Sequence, residues 1–123
     1  MTVEAQDALG GVPAAVITRF PALVGRRRST ASAETHVEAK TTLFLLDRAE
    51  EHTRHISREH FTIEYDGGRF SVVDLGSACG TTVAGRRVGG NREGGQSELR
   101  DQDEIVIGSP RSRYVFRFEI FTD

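Results

Sequence analysis

The segment that most constrains the fold is residues 60–75, "HFTIEYDGGRFSVVDL". Apolar side chains recur at every second position on both sides of a central Asp-Gly-Gly. A period of two places alternate side chains on opposite faces of a β-strand. The two glycines accept the positive φ angles that a tight hairpin turn requires. The segment therefore predicts a β-hairpin with one buried face.

Other short runs rich in β-forming residues are also predicted to be strands. They are "AAVITRF", "ALVGR", "TTLFLL", "TTV", "RRV", "DEIVIG" and "RYVFRFEIF". Polar or glycine-rich connections separate them, and we interpret residues 89–98, "GGNREGGQSE", as such a loop. No segment has a continuous apolar stripe at helical spacing. Many short strands with a turn about every ten residues predict an all-β antiparallel sandwich, with its core between two sheets.

Composition narrows the class of protein. The chain has 123 residues, 28% charged and 37% hydrophobic, as a single globular domain usually has. Its net charge is −2, so no overall basic field attracts nucleic acid or a membrane surface. A site for anions must then be a local cluster. A single cysteine cannot form a disulfide within the chain.

The first residues differ from the rest. Residues 1–12, "MTVEAQDALGGV", are small and polar, and we expect a flexible N-terminal tail ahead of one domain at 13–123. They lack the basic start and apolar centre of a signal peptide. No run approaches the roughly 18 apolar residues of a membrane span. We therefore expect a cytoplasmic protein.

Three predicted loops carry unusual polar chemistry. They are "LVGRRR" with Arg26, "HISREH" with Ser57 and Arg58, and "GSACGTTVAG" with Cys79. Together these loops would offer guanidinium groups, a hydroxyl and backbone N–H groups. An arginine fork matches phosphate oxygens, and charge-assisted hydrogen bonds are the strong ones. The pattern indicates a site for a phosphorylated side chain, which carries about −1.5 to −2 charges.

In their order, the motifs resemble the forkhead-associated (FHA) domain. The matching stretches are Gly-Arg at 25–26, "SREH" at 57–60, "DLGSACGTTVAG" at 74–85 and "LRDQDEIVIG" at 99–108. The resemblance covers roughly residues 14–121. It implies an SMAD/FHA-like antiparallel sandwich of about eleven short strands. It also implies binding loops at one end that recognise phosphothreonine peptides without catalysis.

The resemblance assigns roles residue by residue. The phosphopeptide-binding positions would be Arg26, Ser57, Arg58, Cys79 and Thr81. The structural support of these loops would come from Gly25, His60, Gly76, Ser77 and Gly80. The implied partner is a phosphothreonine-containing protein, either a serine/threonine kinase or its substrate. We expect a monomer that needs no cofactor or metal and binds neither nucleic acid nor membrane. A bacterial origin is suggested by compositional style.

The chain departs from the family pattern at the binding loops. Cys79 stands where the family has an asparagine that bonds the peptide backbone, and Ala78 stands where some members have a hydroxyl. Gln102 replaces a common glycine, and two loops, at about 27–41 and 47–58, are long. These departures leave open an alternative, in which a degenerate FHA-like sandwich serves as a phosphate-independent interaction or assembly module.

Other chemistries have weaker support. His52, His55, His60 and Cys79 contain zinc-ligand types, but a single cysteine without a second compact pair is a poor zinc signature. Ser57, His60 and Asp74 could be drawn as a catalytic triad, yet no G-x-S-x-G elbow is present. The short basic clusters "GRRR" and "GRR" lack the interleaved aromatic residues of a nucleic-acid surface.

Overall fold

The hairpin predicted at residues 60–75 lies in the middle of a five-stranded sheet. The computed structural model describes residues 1–26, 38–47 and 55–121. These residues contain one helix and nine strands: α1 (Val3–Ala8), β1 (Ala22–Arg26), β2 (Thr41–Leu45), β3 (Phe61–Asp66), β4 (Arg69–Asp74), β5 (Thr81–Val83), β6 (Arg86–Val88), β7 (Gly95–Leu99), β8 (Glu104–Ile107) and β9 (Val115–Arg117).

Two sheets form the sandwich that the strand pattern predicts. The five-stranded sheet has the order β2-β1-β3-β4-β7, and the four-stranded sheet has the order β6-β5-β8-β9. Neighbours are antiparallel except for β1 and β2, which run parallel. A parallel pair needs a crossover of a dozen or more residues, and the chain between these two strands is long enough for one. The expected antiparallel sandwich is thus confirmed, with β1 and β2 as its parallel pair among the described strands.

The core lies between the inward faces of the two sheets. Phe61 and Ile63 of β3 and Val72 of β4 are buried there, opposite Val83 of β5 and Ile107 of β8. Burial of each such side chain stabilises the fold by about 1.5–3 kcal/mol. Phe61 and Ile63 are buried as the alternation predicts, but Thr62 between them is buried as well, and Tyr65 at the hairpin end is exposed.

The N-terminal residues differ from the flexible tail expected at 1–12. Thr2 caps α1 by accepting a hydrogen bond from the Ala5 N–H at 3.2 Å, and its own N–H donates to the Val115 carbonyl at 3.2 Å. Ala5 and Ala8 are buried, and the Ala8 carbonyl accepts from the Leu46 N–H at 2.9 Å. The capped helix thus joins β9 of one sheet to the end of β2 in the other.

Other predictions from the sequence are corrected by the structure or fall outside the residues that it describes. Part of the glycine-rich stretch predicted as a loop forms β7, because backbone pairing with β4 requires no apolar side chain. The run "AAVITRF" at 14–20 is not a strand. The two long loops predicted at about 27–41 and 47–58 fall largely on 27–37 and 48–54, which lie outside the described residues. The domain limits of 13–123 stay a prediction.

Gln102 occupies a backbone conformation that favours glycine. Its φ is 71°, in the left-handed region, at the turn before β8. A residue with a side chain is destabilised by about 1–2 kcal/mol in this conformation. Glycine avoids that strain but loses more conformational entropy on folding, so the net gain from glycine is smaller.

We expect Gln102→Gly to raise the free energy of unfolding by about 0.5–1 kcal/mol, because it removes that strain and leaves the Gln102 N–H bond to Phe118 in place. Chemical denaturation measures the change. Glu104→Gly, in the neighbouring strand, is the control and should destabilise the protein. A loss of stability in Gln102→Gly would contradict this explanation.

Candidate functional site

The three motif-bearing loops meet at one end of the sandwich. β1 ends at Arg26, and its residue Val24 pairs with Phe61 at the start of the antiparallel strand β3. β4 ends at Asp74, which pairs with Phe61. The loop that follows β4 leads into β5 at Thr81. The strands therefore deliver residues 26, 55–60 and 75–80 to the same end.

Arg26 fastens the second loop to the first. Its backbone N–H donates to the Ser57 carbonyl at 2.9 Å, and Nη1 of its guanidinium donates to the Ile56 carbonyl at 3.3 Å. The preceding Gly25 allows this close approach, because a Cβ there would lie 1.9 Å from the Arg58 carbonyl oxygen. A side chain at position 25 would therefore push these two loops apart.

Ser57 connects the second loop to the third. Its Oγ accepts a hydrogen bond from the Ala78 N–H at 3.2 Å. Accepting this bond leaves the hydroxyl proton available as a donor. Within the described ranges, no acceptor takes that proton. The serine hydroxyl thus lies between the two loops with a donor to offer.

His60 lies beneath the second and third loops and is hydrogen-bonded to both. Its side chain is completely buried, with Nδ1 accepting from the Ser57 N–H at 2.9 Å and Nε2 close to the Gly80 carbonyl at 2.7 Å. Because Nδ1 accepts, the ring proton lies on Nε2, and the imidazole is neutral. Burial lowers the pKa of His60, opposed by the Gly80 carbonyl and by Asp74, whose Oδ2 lies 4.0 Å from Nε2.

Asp74 sets the shape of the third loop. Its buried carboxylate accepts from the N–H groups of Gly76 and Ser77 at 3.0 and 2.8 Å. It also accepts from the hydroxyls of Ser77 and Thr81, each at 2.7 Å. The Ser77 hydroxyl in turn accepts from the Gly80 N–H at 2.9 Å. Thr81, grouped with the binding residues by the resemblance, is fully buried and supports the loop from below.

A fourth segment backs this loop, and the sequence interpretation missed it. The N–H groups of Asn91 and Arg92 donate to the carbonyls of Ala78 and Ser77 at 3.1 and 3.0 Å. Both donors have positive φ angles, 53° and 63°. The Gly-Gly-Asn that opens the β6–β7 connection is a turn signal, but nothing in it says which loop the turn contacts.

The remaining predicted residues lie on the outer side of these loops. Arg58 and Ala78 are exposed, and Cys79 is half-buried between Ala78 and Gly80. The surface combines arginine side chains, a serine hydroxyl and a glycine-shaped loop. These groups are mainly hydrogen-bond donors, so the surface is suited to bind an anion.

Among the described residues, which do not include the candidate zinc ligand His52, the alternative chemistries gain no geometric support. Ser57 presents its backbone N–H to His60, while its hydroxyl bonds Ala78, so no nucleophile–base pair is assembled. In the described part of the chain, no three histidine, cysteine or carboxylate side chains converge as metal ligands would. Across the same residues, no helix has the length and apolar character needed to cross a membrane.

The fold and the site together define a β-sandwich with a polar, hydrogen-bonded loop surface at one end. The family model described as FHA domain matches residues 23–108. Because this match covers more than half of the chain, the protein belongs to the FHA domain family. A comparison with curated protein sequences gave no match.

The neutral His60 predicts a pH dependence of stability. Its folded pKa lies below the ordinary value of 6.5, so the unfolded chain binds the extra proton first as the pH falls. We expect the free energy of unfolding to decrease below pH 6.5, by at most about 1.4 kcal/mol per pH unit from this group. Denaturation at several pH values measures the slope, and His60→Gln should flatten it. An unchanged slope in that variant would contradict the assignment.

Proposed function

We propose that the protein recognises phosphothreonine in a partner protein and has no catalytic role. The observation that carries the proposal is the hydrogen-bonded chain from Arg26 through Ser57 to Ala78. It unites the three loop motifs in one surface. Arg26 and Ser57 would hold the phosphate, Arg58 would assist, and residues 76–82 would contact the peptide backbone.

Charge supports an anionic ligand. The whole chain has a net charge of −2, yet the loop segments at this end carry three arginines, at 26, 58 and 92, against two glutamates, at 59 and 93. The one deeply buried carboxylate there, Asp74, is fully engaged by donors from its own loop. A hydrogen bond to a charged group contributes about 1.5–3 kcal/mol, so two or three suffice to make binding depend on phosphorylation.

The biological setting is also part of the proposal. We place the protein as a monomer in a bacterial cytoplasm, downstream of a serine/threonine kinase. Its partner would be that kinase or one of the kinase's substrates. The family's interaction role motivates this setting, and the chemistry of the ligand is shared by both partners.

We expect Arg26→Ala to remove the preference for phosphothreonine over threonine peptides. The loss should be about 10- to 150-fold in the affinity for the phosphorylated peptide, the equivalent of one charge-assisted hydrogen bond. Fluorescence anisotropy with matched peptides measures it. Arg69→Ala, at the hairpin between β3 and β4 away from the site, is the matched control and should bind as the wild type does. Retained selectivity in Arg26→Ala would overturn the phosphate assignment.

Two residues favour a second candidate function, a phosphate-independent interaction module. Ala78 offers no hydroxyl beside Ser57, and the thiol of Cys79 is a weak donor and a weak acceptor. A wild-type protein that binds threonine and phosphothreonine peptides equally would decide for this second function.

We expect Cys79→Asn to tighten phosphopeptide binding about 2- to 10-fold, because an amide can exchange hydrogen bonds with the peptide backbone where a thiol cannot. Calorimetry on the two proteins measures the change. Cys79→Ser controls for removal of the thiol and should stay near the wild-type affinity. If Cys79→Asn binds no better, this position does not contact the peptide.

A further inference from the structure

A carboxylate outside the sequence motifs holds the second loop of the site. Asp47 follows the edge strand β2, and its Oδ2 accepts from the backbone N–H groups of His55 and Ile56 at 2.8 and 3.0 Å. Hydrogen bonds are directional, so two of them to one oxygen restrict both successive peptide units. Asp47 therefore fixes the backbone immediately before Ser57.

Asp47 is itself held by both sheets. It follows β2 of the five-stranded sheet, and its Oδ1 accepts from the Tyr114 hydroxyl at 3.2 Å. Tyr114 immediately precedes β9 of the four-stranded sheet, and its carbonyl accepts from the Ile107 N–H at 3.0 Å. The Tyr114 ring also packs edge-on against the His55 ring, with 6.0 Å between the ring centroids. The two sheets therefore determine where this carboxylate lies.

The segment that Asp47 holds also bonds the arginine that we assign to the phosphate. The Ile56 carbonyl accepts from Nη1 of Arg26 at 3.3 Å, and the Ser57 carbonyl accepts from the Arg26 backbone N–H at 2.9 Å. The Ile56 side chain is buried and holds the same segment from the core. The direction of the Arg26 guanidinium and the place of the Ser57 hydroxyl therefore both depend on the orientation of residues 55–57.

We propose that Asp47 is a positioning residue for phosphate binding, which orients Arg26 and Ser57 without contacting the ligand. The inference rests on the proposed function, because it concerns the same phosphate. An ionised carboxylate only accepts hydrogen bonds, as does a phosphate dianion, so Asp47 cannot bind the phosphate directly. Its contribution is preorganisation, since a guanidinium and a loop that are already held in the binding geometry lose less conformational entropy when the ligand binds.

The experiment is a double-mutant cycle in the affinity for a phosphothreonine peptide. It compares the wild type, Asp47→Ala, Arg26→Ala and the variant with both changes. We expect Asp47→Ala alone to weaken binding about 3- to 10-fold, the cost of ordering a long side chain and its loop on binding. In the Arg26→Ala background the same change should weaken binding only about twofold, because Ser57 alone is left to orient. Asp47→Asn keeps an acceptor oxygen and should bind within about twofold of the wild type.

Asp103→Ala is the matched control. Asp103 also accepts a backbone N–H, that of Arg100 at 2.8 Å, but it precedes β8 at the opposite end of the sandwich, where Leu99 pairs with Phe70. This change should lower the thermal stability and leave binding as in the wild type. If Asp47→Ala does not fold, Asp47→Glu takes its place in the cycle, because the longer side chain displaces the carboxylate and should also weaken binding.

Two results would overturn this inference and leave the proposed function standing. One is a folded Asp47→Ala that binds the phosphothreonine peptide as tightly as the wild type and still discriminates against threonine. The other is an equal loss of affinity in both backgrounds, which would show that Asp47 does not act through Arg26. If the wild type itself does not distinguish phosphothreonine from threonine, the proposed function fails, and this inference fails with it.

Discussion

The conformation of the loops at one end of the sandwich depends on the buried carboxylate of Asp74. Moving an ionised group out of water costs several kcal/mol unless donors replace its hydration. Here the donors are two N–H groups and two hydroxyls, all from residues 76–81. Because hydrogen bonds are directional, supplying all four restricts the conformation of residues 76–81. The loop acquires its shape by satisfying the charge, rather than by packing apolar side chains.

His60 connects the loop that contains Ser57 to the loop that contains Gly80. The residue immediately precedes β3 in one sheet, while the carbonyl it meets, on Gly80, immediately precedes β5 in the other. A neutral imidazole has one donor and one acceptor, and both are used. The buried imidazole therefore joins the two sheets at this end, as does the hydrogen bond from the Thr81 hydroxyl to Asp74. The buried polar groups of Asp74, Ser77 and His60 are thereby satisfied by neighbouring loop residues, while the Ser57 hydroxyl lies nearer the outer surface.

Local patterns predicted the parts of the fold that local forces determine. The alternation around Asp-Gly-Gly gave the β3–β4 hairpin, and "TTLFLL" gave β2. The strand β7 was missed because its residues are glycine and polar, and only the edge of β4 makes them a strand. Helix α1 was missed because it has six residues and buries only two alanines.

The candidate site also has some features that the sequence motifs predicted and others that they did not. The order of the motifs predicted that Arg26, Ser57 and the 74–85 loop lie near one another. The contacts of Asn91 and Arg92, and those of Asp47, join segments without a shared motif. A one-dimensional pattern contains no information on which turn contacts which loop. The parts of the surface closest to the family pattern were therefore predictable, and the parts particular to this chain were not.

Helix α1 and strand β9 lie outside residues 23–108, the range that the family model matches. Strand β9 nevertheless pairs with β8 along three residues, and Thr2 occupies the outer edge of β9 at Val115. A fragment cut to the matched range would lose both elements and expose the edge of β8, and bare strand edges invite pairing between molecules. The segment that identifies the family is thus smaller than the unit in which β9 covers the edge of β8.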